Sequence, residues 1–320
     1  MTEIGKNSVS QATIDEASAG QRIDNFLCKH LKGVPKSHLY RILRDGQVRV
    51  NSKRVDATYR LQLEDVVRIP PVRVAAPQQQ TQPAHVAIKL AGAVIYEDDA
   101  MLALNKPAGM AVHGGSGISR GVIEQLRLER PEARFLELAH RLDRETSGVL
   151  LVGKKRSALT RLHDMMRENQ MRKRYLMLVQ GCWKDQKRRV VLSLVKHEME
   201  NGEKRVSVQP GGQHSETVFY LKESLGEFSL LEAELVTGRT HQLRVQLAHL
   251  GFPILGDDKY GDFPLNKRLQ KSGLKRMFLH SAQTSLNHPL TQEPLTLIAP
   301  VPDDLQKFLD QVRKQHAQTI

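Results

Sequence analysis

Residues 72 to 90, VRVAAPQQQTQPAHVAIKL, constrain the fold more than any other stretch. They carry a run of glutamines and two prolines with little apolar periodicity, so they read as a linker and not as part of a packed core. The chain of 320 residues is thereby divided into a compact leading segment and a long region rich in short strands. Two bodies are also what length predicts at roughly 150 residues per domain. The expected layout is an N-terminal tail over 1–19, a small domain over 20–76, a linker over 77–90 and a large domain over 91–320.

In the first segment, QRIDNFLCKHL places Ile23, Phe26, Leu27 and Leu31 at helical spacing. Ser37 is the expected cap of a second helix, HLYRILRDG, ended by Gly46. QVRVNSKRV, with Val48 and Val50 alternating, and VVRIP are strand-like. In the second region, VIYEDDAMLALNKPAG predicts two strands about a turn at Asp98 and Asp99, then a loop with Lys106, Pro107 and Gly109. VHGGSG, residues 112–117, lacks the Gly-Lys-Ser/Thr ending of a phosphate-binding loop and reads as a turn. GVIEQLRLERPEA and RSALTRLHDMMREN are helices; FLELAH, GVLLVGKK, MRKRYLMLVQG and SLLEAELV are strands. TGRTHQLRVQLAHLG is a turn and helix, with Thr240 as expected cap and Gly251 as terminator, and GFPILGDDKYG is an irregular loop. Strands outnumber helices and their connections are too short and mixed for regular βαβ units, so the fold class is α+β.

Charge points to the partner. The net charge is +13 and the pI about 9.8, an electrostatic footprint for a polyanion and above all for nucleic acid. Residues 21–76 hold 12 Lys and Arg against 5 Asp and Glu, so more than half of the excess lies in about a sixth of the chain. Arg22, Lys36, Arg41, Arg44 and Arg49 are spread around the two helices and the strands, and Arg41 and Arg44 share a helix face where they can meet phosphates. No apolar run reaches about 18 residues, which argues against a membrane span. The polar start of the chain has no signal-peptide core, so the cytoplasm is the expected location. Cys28 and Cys182 have no CxxC partners, and the 13 histidines show no HExxH pattern, so no disulfide framework and no metal are expected.

The candidate chemistry lies in HRLDRETSG, residues 140–148, a loop between two predicted strands. It sets Asp143 between Arg141 and Arg144. Flanking positive charge favours the ionised carboxylate, which makes Asp143 a poor general acid but a suitable nucleophile or partner for a developing cation. An oxocarbenium-like glycosidic carbon calls for such a partner. Tyr175, after a basic run, can present a flat ring for a base to stack on. Arg239 and Arg244 form a third polar feature.

Read together, HRLDRETSG, NKPAG, GRTHQLR and GFPILGDDKYG resemble the RluA family of pseudouridine synthases, and Arg22, Asp24 and Leu27 with YRILRDGQVRVN resemble an S4 RNA-binding domain. The resemblance runs from about residue 12 to near the end of the chain. It implies a small S4-like domain linked to a catalytic domain of pseudouridine-synthase type, built on a mixed, mainly antiparallel sheet. It also implies an activity: isomerising specific uridines of large-subunit (23S) ribosomal RNA, a reaction that gains and loses no atoms and so calls for no cofactor. Nothing in the sequence demands more than a monomer. Asp143 would be the essential catalytic residue, Tyr175 would stack on the target base and help remove its C5 proton, and Arg244 would pair with Asp143. Arg141 would fill the space left when the uridine flips out, while Arg144 matches no such role. Asp143 could attack C1′, add to C6, or abstract a sugar proton to give a glycal. One position departs from the pattern: Gln246 stands where the family usually has His, which puts a local hydrogen bond in question.

Two other classes compete. A non-catalytic RNA-binding assembly protein would predict a degraded HRLD motif, and the motif is intact. A glycoside hydrolase would need a second carboxylate and sugar-binding aromatics, to which 5% aromatic residues and a single Trp are ill suited.

Overall fold

The computed structural model describes residues 8–31, 33–72, 89–114, 120–198 and 204–318. Residues 77–88 of the expected linker and 115–117 of VHGGSG lie outside the described residues. The chain divides into two compact units, Met1–Val86 and Ala87–Ile320.

The first unit contains β1 (Ser10–Thr13), α1 (Ile23–His30), α2 (Lys36–Arg44), β2 (Arg49–Val50) and β3 (Val66–Ile69). Its three strands form an antiparallel sheet in the order β1-β3-β2. Strand β1 falls within the stretch read from sequence as a tail. It pairs Ser10 with Ile69 and Thr13 with Val66, and Ile14 just beyond it is buried. Helices α1 and α2 turn Ile23, Phe26, Leu27, Leu39, Ile42 and Leu43 inward against Val48, Val50, Val67 and Ile69. Helix α2 begins two residues earlier than expected: Pro35, not Ser37, stands at the cap, because proline has a fixed φ suited to a helix start and no N–H to satisfy. Gly46 follows its end at φ +67°, a left-handed value that favours glycine.

The second unit is built on β4 (Val94–Glu97), β5 (Met101–Lys106), α3 (Val122–Glu129), β6 (Glu137–Leu138), β7 (Ser147–Gly153), α4 (Arg156–Arg167) and β8 (Arg172–Gln180). It continues with β9 (Lys187–Glu198), β10 (Lys204–Val208), β11 (Gln213–Leu225), β12 (Phe228–Leu235), α5 (Gln242–His249) and α6 (Phe263–Lys271). Strands β13 (Leu279–Asn287) and β14 (Pro294–Ile298) and helix α7 (Asp303–Ala317) complete it. The strands join in one sheet, β10-β9-β11-β12-β8-β13-β7-β5-β4, with β14 on β13 and β6 on β7. Every strand pair is antiparallel except β13–β7, so the sheet is mixed and mainly antiparallel, as an α+β fold requires.

Alternation along the central strand β8 separates the two faces. Tyr175, Met177 and Val179 join the main core with Leu102, Leu104, Leu150, Val152 and Leu243. Leu178, with Leu176 packed beside it, joins a second core under α6 and α7 with Leu265, Leu269, Leu305 and Phe308. Gly148 makes the parallel contact possible: a Cβ there would lie 2.2 Å from the Ser281 carbonyl oxygen, and its φ is +111°. That close approach brings β8, paired with β13, alongside the start of β7 and the loop that precedes it.

Candidate active site

Asp143 sits in the loop joining β6 to β7, where the Thr146 N–H donates to the Asp143 carbonyl at 3.1 Å. The loop is clamped to the turn after β5. The Gly109 N–H and the Lys106 ammonium both donate to the Arg144 carbonyl, at 2.9 and 3.0 Å, and Arg144 Nε returns a bond to the Gly109 carbonyl. Lys106 is fully buried and spends its other donors on the Pro107 and Met110 carbonyls. Burial, with Arg276 nearby, pushes its pKa down to about 7, while three carbonyl acceptors favour the ammonium. NKPAG therefore braces the loop that carries Asp143.

Arg244, on α5, is the hub. Its side chain is 4% exposed, and Nη1 donates to Asp143 Oδ2 at 3.1 Å. Nε and Nη2 grip Asp257 bidentately at 2.7 Å each, and Nη2 also meets Asp258 at 3.1 Å. The Asp257 side chain is 1% exposed and also accepts the Lys259 and Tyr260 N–H groups. Burial opposes the charge of both partners. Their mutual hydrogen bonds and attraction nonetheless hold Asp257 below the usual carboxylate range and push Arg244 further up. A carboxyl with a depressed native pKa contributes stability above the ordinary carboxylate range and loses it as pH falls through the depressed value. Asp257→Asn is thus expected to lower Tm at pH 7 and to flatten its decline between pH 5 and 3. An acid limb as steep as the wild type's would contradict this.

The other oxygen of Asp143, Oδ1, faces His241 Nε2 at 3.9 Å. His241 stands at the start of α5 with φ +54°, in the capping position expected for Thr240, and α5 has no side-chain cap. Its conformation turns the ring toward Tyr260, whose hydroxyl lies 2.8 Å from Nδ1. That hydroxyl also accepts the Val206 N–H, so Tyr260 ties the His241 ring to β10 beside Asp143. Further along α5, Gln246 is fully buried and fully bonded: Thr217 donates to its Oε1 at 2.7 Å, and its Nε2 donates to Ser215 Oγ at 3.0 Å. The departing residue is thus held by hydrogen bonds of its own to β11.

Tyr175 lies across the cavity wall, 7% exposed; burial pushes its hydroxyl up to about 12, with the Ser281 hydrogen bond opposing. At neutral pH it is a neutral phenol. Asp143, Tyr175, Arg244 and Arg141 line a single cavity of about 1040 Å³ in the second unit. Exposed Arg141, Arg144, Arg167 and Arg239 also line it, and Asp143 is its sole carboxylate among the described residues. Arg141 makes no ion pair among the described residues. Such a wall suits a polyanion, with one fixed negative charge reserved for a positive centre. Asp257, Tyr260 and His241 were not singled out by sequence reasoning, although GDDKYG and GRTHQLR were; nothing in their spacing tells which member of a motif faces Asp143. Among the described residues no group of three or more His, Cys, Asp or Glu gathers to hold a metal ion.

The remaining candidates lie in the first unit. Lys36, Arg41 and Arg44 are exposed on α2, with Arg41 Nη2 2.8 Å from His38 Nδ1. Arg22 is different: it grips buried Asp24, which also accepts the Tyr40 hydroxyl, so Arg22 helps hold α1 and α2 together.

Comparison with known proteins identifies the family. Residues 100–249 match the RNA pseudouridylate synthase family and residues 21–67 the S4 domain. The chain belongs to the RNA pseudouridine synthases. It is 51% identical to ribosomal large subunit pseudouridine synthase C of Escherichia coli over 98% of each chain. It is also 51% identical to the protein of that name from Yersinia pestis over 96% of each. Among solved structures it resembles human RNA pseudouridylate synthase domain containing 4, with a TM-score of 0.58 and 25% identity over 70% of this chain and 94% of that one.

Proposed function

We propose that this synthase isomerises specific uridines of large-subunit (23S) ribosomal RNA to pseudouridine, acting as a monomer in the cytoplasm. The substrate is read from the names of its relatives, and no described helix is long and apolar enough to cross a membrane. The observation that carries the chemistry is the Asp143 carboxylate, held at 3.1 Å by buried Arg244 on an otherwise cationic wall. The reaction breaks C1′–N1, turns the base and forms C1′–C5; a proton lost from C5 is matched by one gained at N1. No atoms or electrons are exchanged with a cofactor, and none is proposed. As the base departs, C1′ turns electron-poor, and Asp143 supplies the matching charge. Arg244 fixes the direction of that carboxylate while Asp257 fixes Arg244.

The target uridine leaves its helix at a cost of a few kcal/mol. Arg141, exposed at the cavity and without an ion pair among the described residues, takes the vacated space, and Tyr175 stacks on the extruded ring. The domain over 20–76 anchors the RNA through Lys36, Arg41 and Arg44, with Arg22 reaching phosphate from its pair with Asp24. The region over 91–320 holds the chemistry, the stretch over 77–90 links the two, and the tail over 1–19 lends a strand to the first unit. Chemical mapping of pseudouridines in unmodified large-subunit ribosomal RNA, incubated with the protein at several salt concentrations, tests the substrate. Modification is expected at a small set of uridines, weakening steeply as salt rises. Modification of transfer RNA alone would refute the assignment.

A further inference from the structure

Most cations around the cavity are exposed or paired, and one is neither. Lys173 lies on β8 two residues before Tyr175, so the two side chains share a face of the strand about 7 Å apart. Both line the cavity. The flanking arginines on the opposite face are neutralised, Arg172 by Glu234 and Arg174 by Glu232. Lys173 makes no ion pair or hydrogen bond among the described residues. Its cross-strand neighbours, Leu235 and Thr284, bring no charge. Burial alone lowers its pKa, and its charge is felt by His140 at the head of the Asp143 loop. The Lys173 side chain is half-buried in the cavity wall, and an ammonium with reduced access to water and no counter-ion favours an anion supplied by substrate.

We propose that Lys173 is a catalytic residue that stabilises the uracil ring as an anion while its bond to the sugar is broken. This rests on the pseudouridine synthase reading of the site. When C1′–N1 cleaves, the electron pair goes to N1 and spreads to O2 and O4; Asp143 serves the sugar that is left electron-poor. A ring stacked on Tyr175 lies within reach of a lysine side chain two residues along the same face. The charge that develops is partial and transient, and a cation already fixed beside it acts on it without having to reorganise. A backbone phosphate fits this position less well, since the exposed arginines serve the RNA chain where it stays hydrated.

The test is single-turnover kinetics with saturating enzyme on uridine-containing and 5-fluorouridine-containing RNA, the latter followed by loss of the N-glycoside. Lys173→Met is expected to slow pseudouridine formation by about 10²-fold. RNA affinity should change less than about threefold and its salt dependence not at all, with Lys173→Arg recovering part of the rate. The deficit should shrink on 5-fluorouridine, because fluorine stabilises the departing anion. Lys173→Gln carries the same test if the methionine variant does not fold. An unchanged rate, or a deficit equal on both substrates, overturns the proposal. So does a loss confined to affinity with the salt slope reduced by about one, which would make Lys173 a phosphate contact. The wild type in the same reactions tests the pseudouridine reading separately.

Discussion

Arg244→Met is expected to abolish turnover and to lower folding stability by about 3–5 kcal/mol, the penalty for stripping the partner from a buried charge. Asp257 would be left ionised in a site where its side chain is 1% exposed, and Asp143 would lose the donor that aims it. The double variant Arg244→Met with Asp257→Leu removes the stranded charge, and it is expected to recover much of the stability and none of the activity. Denaturant unfolding with parallel turnover measurements separates the two roles. A fully stable Arg244→Met would mean that Asp257 finds another partner, and an active one would remove Arg244 from the mechanism.

Asp143→Asn should leave stability nearly unchanged, since Asp143 is 28% exposed and Arg244 keeps its bidentate grip on Asp257. RNA binding should hold or tighten slightly, because the one negative charge on a cationic wall is gone. Turnover is nevertheless expected to fall by at least about 10³-fold, on the scale of losing a nucleophile or a group made for the transition state. Filter binding and single-turnover assays on one preparation check both parts. A variant that loses affinity and rate together would place Asp143 in RNA binding instead.

The sheet's character was legible because its strands announce themselves: MLALNK and SGVLLVG are apolar runs buried on both faces, which only a central strand accommodates. Strand β11 was not. Its inward positions include Ser215 and Thr217, both fully buried, because they face the amides of Gln242 and Gln246 and not aliphatic chains. A buried polar ladder of that kind erases the alternation by which strands are recognised. Strand β1 was hidden by the polar composition of its surroundings, although Ile14 is a core residue. Helix starts were misplaced at Ser37 and Thr240 for a shared reason. A hydroxyl near a helix start suggests a cap, but Pro35 and the left-handed His241 set those boundaries through backbone geometry.

The site was legible as a set of motifs and not as a set of contacts. Asp143 is conspicuous as an acid between arginines, and Arg244 stands in a motif with few other charges. That Arg244 spends two nitrogens on Asp257 is a tertiary fact, joining two segments through a loop that turns back on α5. Lys173 is the opposite case. In MRKRY it is one of three basic residues, and only the sheet's alternation turns it away from its neighbours' glutamates.

The account stands or falls on whether Asp143 drives isomerisation. The direct measurement is tritium release from C5-tritiated, unmodified large-subunit ribosomal RNA, with wild type and Asp143→Asn side by side and nothing else added. Release by the wild type, with none above background from the variant despite intact RNA binding, is the predicted result. Equal release by both would contradict it.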